Sequence, residues 1–382
     1  MKRARWDVAV VGSGPGGSIA AMTCAKAGLD TLLVEKKKLP RDKVCSGMVL
    51  GSWAKNLIKE HFGEIPKEAL IQQGHYSGIT LHVGAKNTVE IPNLIPVGWR
   101  KNLDYWMCQQ ALQAGVYVKD DAKALEIRQH AGGCEIALGG LKGSSKVYAR
   151  YIIGADGAFS SVRKCMYPDL KVRYRPAYRE CFDEQLAIDQ DRFHWFFPYN
   201  SSSPRFDINY KEGFLLIEGG HIRLLKEKIR ETLEPFGFRA DAKPLWRDGC
   251  AIAALHEDFL KGWFVPEDNN RILQDYLMKG RFVPAKDHAL LVGDAAGLIL
   301  PFTHEGIGSA LKSGFLAAES VTEALSGRGK VDELYLRKIQ GMKTFIGELF
   351  LLQQEMDKIA RSEVQALCES MAAFFDKSMN VE

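Results

Sequence analysis

A glycine-rich turn near the start of the chain constrains its fold more than any other feature. Residues 8–11 are apolar and predict a buried strand, and Gly12, Gly14 and Gly17 follow in the spacing G-x-G-x-x-G. In such a turn the first glycine allows a tight bend and the second lets the backbone approach a pyrophosphate. The third lets the next helix pack closely on the strand. We therefore predict a helix, from about residue 16 to residue 26, whose N-terminus faces a phosphate.

A second strand and an acidic residue complete this unit. Residues 31–34 predict the strand, and Glu35 follows it at close to the expected distance of about 20 residues from the glycines. A carboxylate there can accept hydrogen bonds from both hydroxyls of an adenosine ribose, which is the only role that we expect for Glu35. Strand, turn, helix, strand and acid in this order predict a dinucleotide site.

Length and composition indicate two domains and exclude several classes of protein. The chain has 382 residues, of which 46% are hydrophobic and 26% charged, as in an ordinary globular protein. A net charge of +4 is too small to indicate nucleic acid. No apolar run of about 18 residues predicts a membrane span. The eight cysteines show no C-x-x-C spacing, which argues against a metal site or a disulfide framework and favours a reducing cytoplasm.

Two further acidic turns follow apolar strands. Asp156 lies in Gly-Ala-Asp-Gly after the strand that ends at residue 153, and Asp294 lies in Gly-Asp-Ala-Ala-Gly after residues 289–292. Small residues around an aspartate let the backbone come close to a ligand. A long helix, predicted from about residue 306 to residue 325, follows the second turn and would point its first N–H groups at that ligand.

The order of these patterns predicts an α/β fold. We expect a Rossmann-like cofactor domain with an inserted domain rich in β-sheet and a helical C-terminal segment. The predicted bounds are 1–75, 100–164 and 281–330 for the cofactor domain, 76–99 and 165–280 for the inserted domain, and 331–382 for the helical segment.

Four segments carry a resemblance to a known family. Residues 40–47 resemble P-R-x-K-x-C-G-G, and residues 294–307 resemble D-A-A-G…P-x-T-G-E-G-I. Residues 195–198 resemble W-x-F-P, and residues 100–104 match the R-x-x-x-D start of a flavin-contacting helix. Together they resemble the geranylgeranyl reductase family, within the para-hydroxybenzoate-hydroxylase-like flavoproteins. The resemblance covers the cofactor domain and is weak across the inserted domain.

The resemblance implies FAD as the cofactor and a set of residues around it. Asp294 would accept hydrogen bonds from the ribityl chain, and the helix that begins near residue 306 would face the ring. No second glycine fingerprint appears, so NAD(P)H would visit only transiently, or another protein would deliver the electrons. The expected cofactor-binding residues are Gly12, Gly14, Pro15, Gly16, Gly17, Glu35, Lys36, Arg41, Cys45, Ser46, Arg100, Asp156, Gly293, Asp294, Gly306 and Ile307. The expected catalytic residues are Cys45, Trp195, Phe197 and His304.

Each of these roles competes with a plainer one. Cys45 is either a contact of flavin or substrate or a structural thiol, and Trp195 with Phe197 either covers the flavin or belongs to the core. His304 either relays protons or forms a surface pair with the next residue. Arg100 either is a cation near the flavin or its phosphates or only pairs with Asp104.

The chain departs from the family where a substrate would meet the flavin. Ser46 and His304 stand where the family has glycine, and Arg-Phe-His precedes Trp195 in place of a glycine-rich approach. Two chemistries therefore fit. Reduced flavin either reduces an alkene of isoprenoid type or supports hydroxylation of an aromatic or electron-rich substrate, which includes a protein side chain. A flavin-binding maturation or interaction protein is a third interpretation. A small apolar or aromatic substrate is expected, and peripheral membrane contact stays open.

Overall fold

The computed structural model describes residues 5–84, 87–141, 143–197, 205–220, 225–253, 272–359 and 363–381. In the described chain the strands are β1 (Trp6–Val11), β2 (Thr31–Val34), β3 (His75–Val83), β4 (Asn87–Pro96), β5 (Tyr117–Lys119), β6 (Lys123–His130), β7 (Gly133–Gly140), β8 (Gly143–Gly154), β9 (Tyr174–Phe182), β10 (Arg192–Phe197), β11 (Phe206–Lys211), β12 (Phe214–Gly219), β13 (Trp246–Ala253), β14 (Ala285–Lys286) and β15 (Ala289–Leu291). The helices are α1 (Pro15–Lys26), α2 (Ser52–His61), α3 (Arg100–Gln113), α4 (Ser161–Met166), α5 (Lys226–Leu233), α6 (Leu273–Met278), α7 (Ile307–Leu325), α8 (Val331–Lys338), α9 (Gln340–Lys358) and α10 (Val364–Met379).

The first sheet has the order β14-β15-β8-β1-β2-β5, and the antiparallel strands β7 and β6 extend from β8. Its centre is parallel, and Val8, Ala9 and Val10 of β1 are fully buried, as expected for a strand covered on both faces. Val11 and Leu291 both pair with Gly154, so β1, β8 and β15 end at the same edge. The glycine turn and the two acidic turns therefore meet there, where ligands of such sheets bind.

Helices α1 and α7 cross over this edge of the sheet, and their backbones are in contact with each other. A Cβ atom on Gly16 would lie 2.8 Å from the carbonyl oxygen of Ala310, and one on Gly314 would lie 2.2 Å from that of Gly16. Larger residues at these positions would push the helices apart. The small residues of both helices therefore hold their N-terminal ends close to the same edge of the sheet.

The second sheet has the order β13-β9-β12-β11-β10-β3-β4. Strands β3 and β10 pair in parallel, and the other neighbours are antiparallel. One face of this sheet packs on α5, where Phe196, Phe206 and Ile229 share a hydrophobic cluster. We call this the outer face. The opposite, inner face packs on the first sheet's domain and on α10, and its residues Phe193, Trp195 and Phe197 belong to the main core.

The predicted fold class is confirmed: a Rossmann-like sheet, a second and mostly antiparallel sheet, and C-terminal helices. The helix starts agree closely with the predicted ones, since α1 begins at Pro15 rather than near residue 16, and α7 begins at Ile307 rather than near residue 306. Among the described residues, no helix is long and apolar enough to cross a bilayer.

Candidate functional site

The glycine turn is built so closely that side chains cannot enter it. Gly12 has a φ of +104°, and a Cβ atom there would lie 2.4 Å from the carbonyl oxygen of Ala155. A Cβ atom on Gly17 would lie 1.7 Å from the carbonyl oxygen of Gly12. Helix α1 begins at Pro15, and within the described segments no side chain caps its N-terminus. Its first N–H groups are therefore available to a phosphate.

Two arginines lie over this turn. A Cβ atom on Gly14 would be 3.6 Å from Nη2 of Arg41 and 4.0 Å from Nη2 of Arg100. Asp104 holds both guanidinium groups, because it accepts from Nε and Nη2 of Arg100 at 2.6 and 3.0 Å and lies 3.0 Å from Nη1 of Arg41. Arg100 therefore both pairs with Asp104 and lies beside the turn. A helix N-terminus with two guanidinium groups is a donor set that fits a pyrophosphate.

Glu35 has more partners than we expected. Its carboxylate accepts hydrogen bonds from the N–H of Ser13 at 3.2 Å, the hydroxyl of Ser13 at 2.8 Å, the N–H of Lys37 at 3.0 Å and Nε of Arg41 at 3.0 Å. Burial by itself would raise the pKa of Glu35, but Arg41 and the N–H donors outweigh it and hold this pKa below its usual range. The expectation that only a ribose gives Glu35 a role is wrong, since the carboxylate also orders the turn. Lys36 is exposed.

Asp156 caps a helix. Its Oδ2 accepts from the N–H groups of Ser161 at 2.6 Å and Val162 at 3.3 Å, and burial raises its pKa. Its Oδ1 is buried without a hydrogen-bond partner in the described part of the chain. A Cβ atom on Gly12 would lie 3.0 Å from Cα of Asp156. Asp156, with its unpaired Oδ1, therefore lies beside the glycine turn. Its contact with a cofactor stays a prediction.

The turn around Asp294 leads into α7. Asp294 is half-buried, and a Cβ atom on Gly306 would lie 3.5 Å from its Oδ1. Sequence reasoning missed the part that Glu305 plays here. Its Oε1 accepts from the N–H of Gly308 at 2.6 Å, and burial raises its pKa. Glu305 therefore binds one N–H group at the start of α7. We expected the N–H groups of Gly306 and Ile307, at the same end of this helix, to face the flavin ring. The sequence signal for this role of Glu305 was an acidic residue just before an apolar helix.

The segment Cys45–Gly47 contacts both Gly98, just before α3, and side chains of the second sheet. Gly47 has a φ of +72°, and a Cβ atom there would lie 1.9 Å from the carbonyl oxygen of Gly98. The half-buried Cys45 accepts a hydrogen bond from the N–H of Gly47 on its Sγ, at 3.4 Å. Arg179 donates to the carbonyl of Cys45 at 3.3 Å, and Lys211 donates to the carbonyl of Ser46. Cys45 and Ser46 therefore face the inner side of the second sheet.

The inner face is apolar on two neighbouring strands. Trp195 is 2% exposed, and its ring centre lies 4.7 Å from that of Phe375 on α10 and 6.3 Å from that of Phe302. Phe302 also stacks on Phe197 at 5.7 Å, and the guanidinium of Arg205 lies 4.3 Å from the ring centre of Trp195. We call this region the apolar half; its residues are Ile79, Leu81, Phe193, Trp195 and Phe197.

These contacts make Trp195 and Phe197 part of the core, and their contact with flavin stays a prediction. Pro198, which completes the W-x-F-P resemblance, lies outside the described residues. The part that α10 plays was missed, since helical periodicity in a terminal segment does not say where it packs.

The other strands of the inner face carry buried charge. Lys211 is 1% exposed, and burial lowers its pKa to about 8, against the opposing effect of Glu218. Burial likewise raises the pKa of Glu218. Arg179 donates to Asp248 through Nε at 3.0 Å and Nη2 at 2.5 Å. We call this region the polar half; its residues are Arg179, Asn209, Lys211, Glu218 and Asp248.

His304 is half-buried and has a φ of +53°, and Phe302 in the same turn has a φ of +58°. Glycine adopts this conformation at little cost, which accounts for the glycine that the resembling family has at the position of His304. The turn at residues 301–305 contacts the apolar half through Phe302, and the segment Cys45–Gly47 contacts the polar half. The segment 45–47 and the turn at residues 301–305 therefore meet the same face of the second sheet, on which Trp195 and Phe197 also lie.

Comparisons with known proteins agree with this geometry. A family model described as FAD dependent oxidoreductase matches residues 7–153, and one described as FAD binding domain matches residues 100–336. Digeranylgeranylglycerophospholipid reductase of Methanocaldococcus jannaschii is 24% identical over 97% of this chain and 92% of that protein. Protein CbrA of Escherichia coli strain K12 is 26% identical over 81% of this chain and 82% of that protein.

A solved structure has the same fold. The geranylgeranyl bacteriochlorophyll reductase-like protein of Thermoplasma acidophilum superimposes with a TM-score of 0.69 at 22% identity, over 99% of this chain and 92% of that one. The matched family model, with which the glycine turn and the two arginines agree, makes this chain a member of the FAD binding domain family, and it is an FAD-dependent oxidoreductase that is similar to geranylgeranyl reductases.

Proposed function

We propose that this protein reduces a carbon–carbon double bond in an apolar substrate of isoprenoid type. The observation that carries the proposal is the aromatic contact between Phe302, in the turn before α7, and Trp195 with Phe197 on β10. It brings an apolar surface of the second sheet to the cofactor domain. An apolar substrate that lies beside this packed contact would be bound by the exclusion of water, with few polar groups to orient it. The name of the Methanocaldococcus relative supports the same substrate class.

The residues present fit FAD. The N-terminus of α1, Arg41 and Arg100 would hold the pyrophosphate, Glu35 the ribose, and Asp294 the ribityl chain. When bound, FAD supplies hydride transfer. Reduction of the double bond also needs a proton for the second carbon, and we assign its delivery to His304 or to water held in that turn. The electron donor is NAD(P)H or a partner protein, and the proposed compartment is the cytoplasm.

The alternative is hydroxylation of an aromatic or other electron-rich substrate. It is favoured by His304, an ionisable group where the resembling family has glycine, and by the buried charges of the polar half. Such groups suit a substrate with polar substituents, which includes a protein side chain, better than a plain hydrocarbon.

One set of measurements decides between these reactions. The reduced protein is mixed without oxygen with a prenyl alkene, and the flavin absorbance and the product mass are followed. Reoxidation with a gain of two hydrogen atoms supports reduction. Incorporation of an oxygen atom from labelled O₂ into an aromatic substrate, with no reaction of the alkene, contradicts it. The variant His304→Ala should flatten the pH dependence of turnover near neutrality if the imidazole carries the proton.

The cofactor assignment has its own test. Acid-released cofactor should be FAD by chromatography, and FMN alone would contradict the roles of the glycine turn and Glu35. Asp294→Ala should yield folded protein with little FAD at micromolar concentration. Lys286→Ala, on an exposed strand residue, is the matched control and should retain a full complement.

A further inference from the structure

Two cations of the second sheet hold consecutive carbonyls of the cofactor domain. Nη1 of Arg179, on β9, donates to the carbonyl of Cys45 at 3.3 Å. Nζ of Lys211, on β11, donates to the carbonyl of Ser46 and, at 3.5 Å, to that of Gly98. The segment that we expect to contact flavin and substrate is thus bound through its backbone to strands far away in sequence.

The burial of these cations indicates that they serve more than solubility. Arg179 is 5% exposed and Lys211 is 1% exposed. A buried ammonium group is costly unless carbonyls, carboxylates or aromatic faces replace its water. Nζ of Lys211 lies 4.7 Å from the ring centre of Trp99, and the guanidinium of Arg179 lies 5.2 Å from the ring centres of Trp99 and Trp246. The donors of Lys211 are thereby directed at the cofactor domain.

We propose that Lys211 and Arg179 are positioning residues of the candidate active site, and that protonated Lys211 is required to hold the segment Cys45–Gly47 against the second sheet. The proposal adds detail to the proposed function, and it depends on that function only for the position at which the substrate binds. Without the charge on Lys211, the carbonyls of Ser46 and Gly98 lose a charge-assisted hydrogen bond, and the segment opens more often.

The surroundings of Lys211 make its hydrogen bonds to the carbonyls of Ser46 and Gly98 dependent on pH. The charged or titratable groups that face it are Glu218 from β12, Arg179 from β9, Cys45 from the held segment, and the adjacent Glu212. Asp248 of β13 acts through Arg179. Burial lowers the pKa of Lys211 to about 8, so its charge is present at pH 7 and is lost as the pH rises above this value. Glu218 opposes the shift, so Glu218→Gln should move the loss to a lower pH.

Amide hydrogen exchange of the FAD-bound protein, without substrate, tests this directly. The reporter is a peptide that covers residues 43–50, and a peptide from β1 is the internal reference. Lys211→Met removes the charge at similar length and should reduce the protection of the reporter about tenfold while the reference is unchanged. Lys123→Met is the matched control, since Lys123 is exposed on β6, and it should leave both peptides unchanged.

The pH series separates a positioning role from a merely structural one. After correction for intrinsic exchange, protection of the reporter in the native protein should fall between pH 7 and 9.5, and in Glu218→Gln this fall should begin at lower pH. A flat profile in the native protein overturns the proposal even if Lys211→Met fails to fold, and so does unchanged protection in a folded Lys211→Met. Because no substrate is present, these outcomes are independent of whether the enzyme reduces alkenes.

Discussion

The two halves of the inner face follow the same strand alternation and differ in chemistry. In the apolar half, Trp195 and Phe197 are buried among aromatic rings from α10 and from the turn before α7. In the polar half, Lys211 and Arg179 are buried just as deeply but rely on carbonyls and carboxylates. Apolar burial stabilises in proportion to area, whereas a buried charge first loses its hydration and regains energy only with well-placed partners.

This difference indicates what each half contributes to the stability and the geometry of the molecule. Any well-packed apolar side chain can fill the space against Phe375, so the apolar half contributes mainly stability and a surface without water. The polar half tolerates only partners in specific directions, so it determines where the segment Cys45–Gly47 lies. We expect substitutions in the apolar half to act on the free energy of unfolding, and those in the polar half to act on local geometry.

Removal of Trp195 from the apolar half, compared with removal of Trp246, which contacts Arg179 of the polar half, gives the largest contrast. Trp195→Ala should lower the free energy of unfolding by about 3–5 kcal/mol, because a fully buried aromatic side chain leaves a cavity. Trp246→Ala should cost about 1 kcal/mol or less, since Trp246 is 39% exposed and loses mainly its contact with the guanidinium of Arg179. Urea denaturation measures both. Equal losses would contradict the division of the face.

Acidification tests the outer face behind the apolar half. There Nε2 of His82 lies 3.0 Å from Nδ1 of His194, and Nε2 of His194 lies 2.7 Å from the carbonyl oxygen of Asp189. If His194 donates to that carbonyl, its Nδ1 accepts from His82. Burial, with His194, lowers the pKa of His82 to about 4. Between this value and the ordinary pKa near 6.5, the unfolded chain binds more protons than the folded one, so stability is lost as the pH falls.

We expect a loss of about 2 kcal/mol between pH 7 and pH 5 from this group. The variant His82→Gln should lose less over the same interval, and denaturation midpoints at the two pH values measure the difference. If the variant and the native protein lose stability in parallel, the histidine pair is not the cause.

The smallest expected effect concerns the rim of the polar half. Asp248→Asn should lower stability by about 1 kcal/mol, because Asp248 holds Arg179 but its side chain is 36% exposed, which weakens the pair by solvent screening. Glu180→Gln, which breaks the more exposed pair with Arg247 at 2.8 Å, is the matched control and should cost less than about half of that. The first effect should shrink in high salt, and a larger loss in the control would reverse our ranking of these ion pairs.

The cofactor half of the molecule was predictable because its signals are local. The strand, glycine turn, helix and acid lie within about thirty residues, and the parallel sheet then brings the three turns to one edge. The family resemblance rests on the same local patterns, and membership of the FAD binding domain family is confirmed. The roles of single residues are less local. Glu35 accepts from four donors that its spacing alone did not indicate, and Glu305 accepts from the N–H of Gly308, close to the N–H groups of Gly306 and Ile307 that we assigned to the ring.

The sequence by itself determined the FAD-binding fold and the type of enzyme, since steric and hydrogen-bonding demands within a short segment leave few alternatives to glycine, helix and acid. Only the tertiary structure decided the inner face of the second sheet. Lys211 meets Ser46 across 165 residues, and Arg179 meets Asp248 across 69. Each of these residues alone is an ordinary charged residue. The physical reason is strand register: whether a lysine on a strand meets solvent or a buried carbonyl depends on which strands pair beside it and which segment covers them.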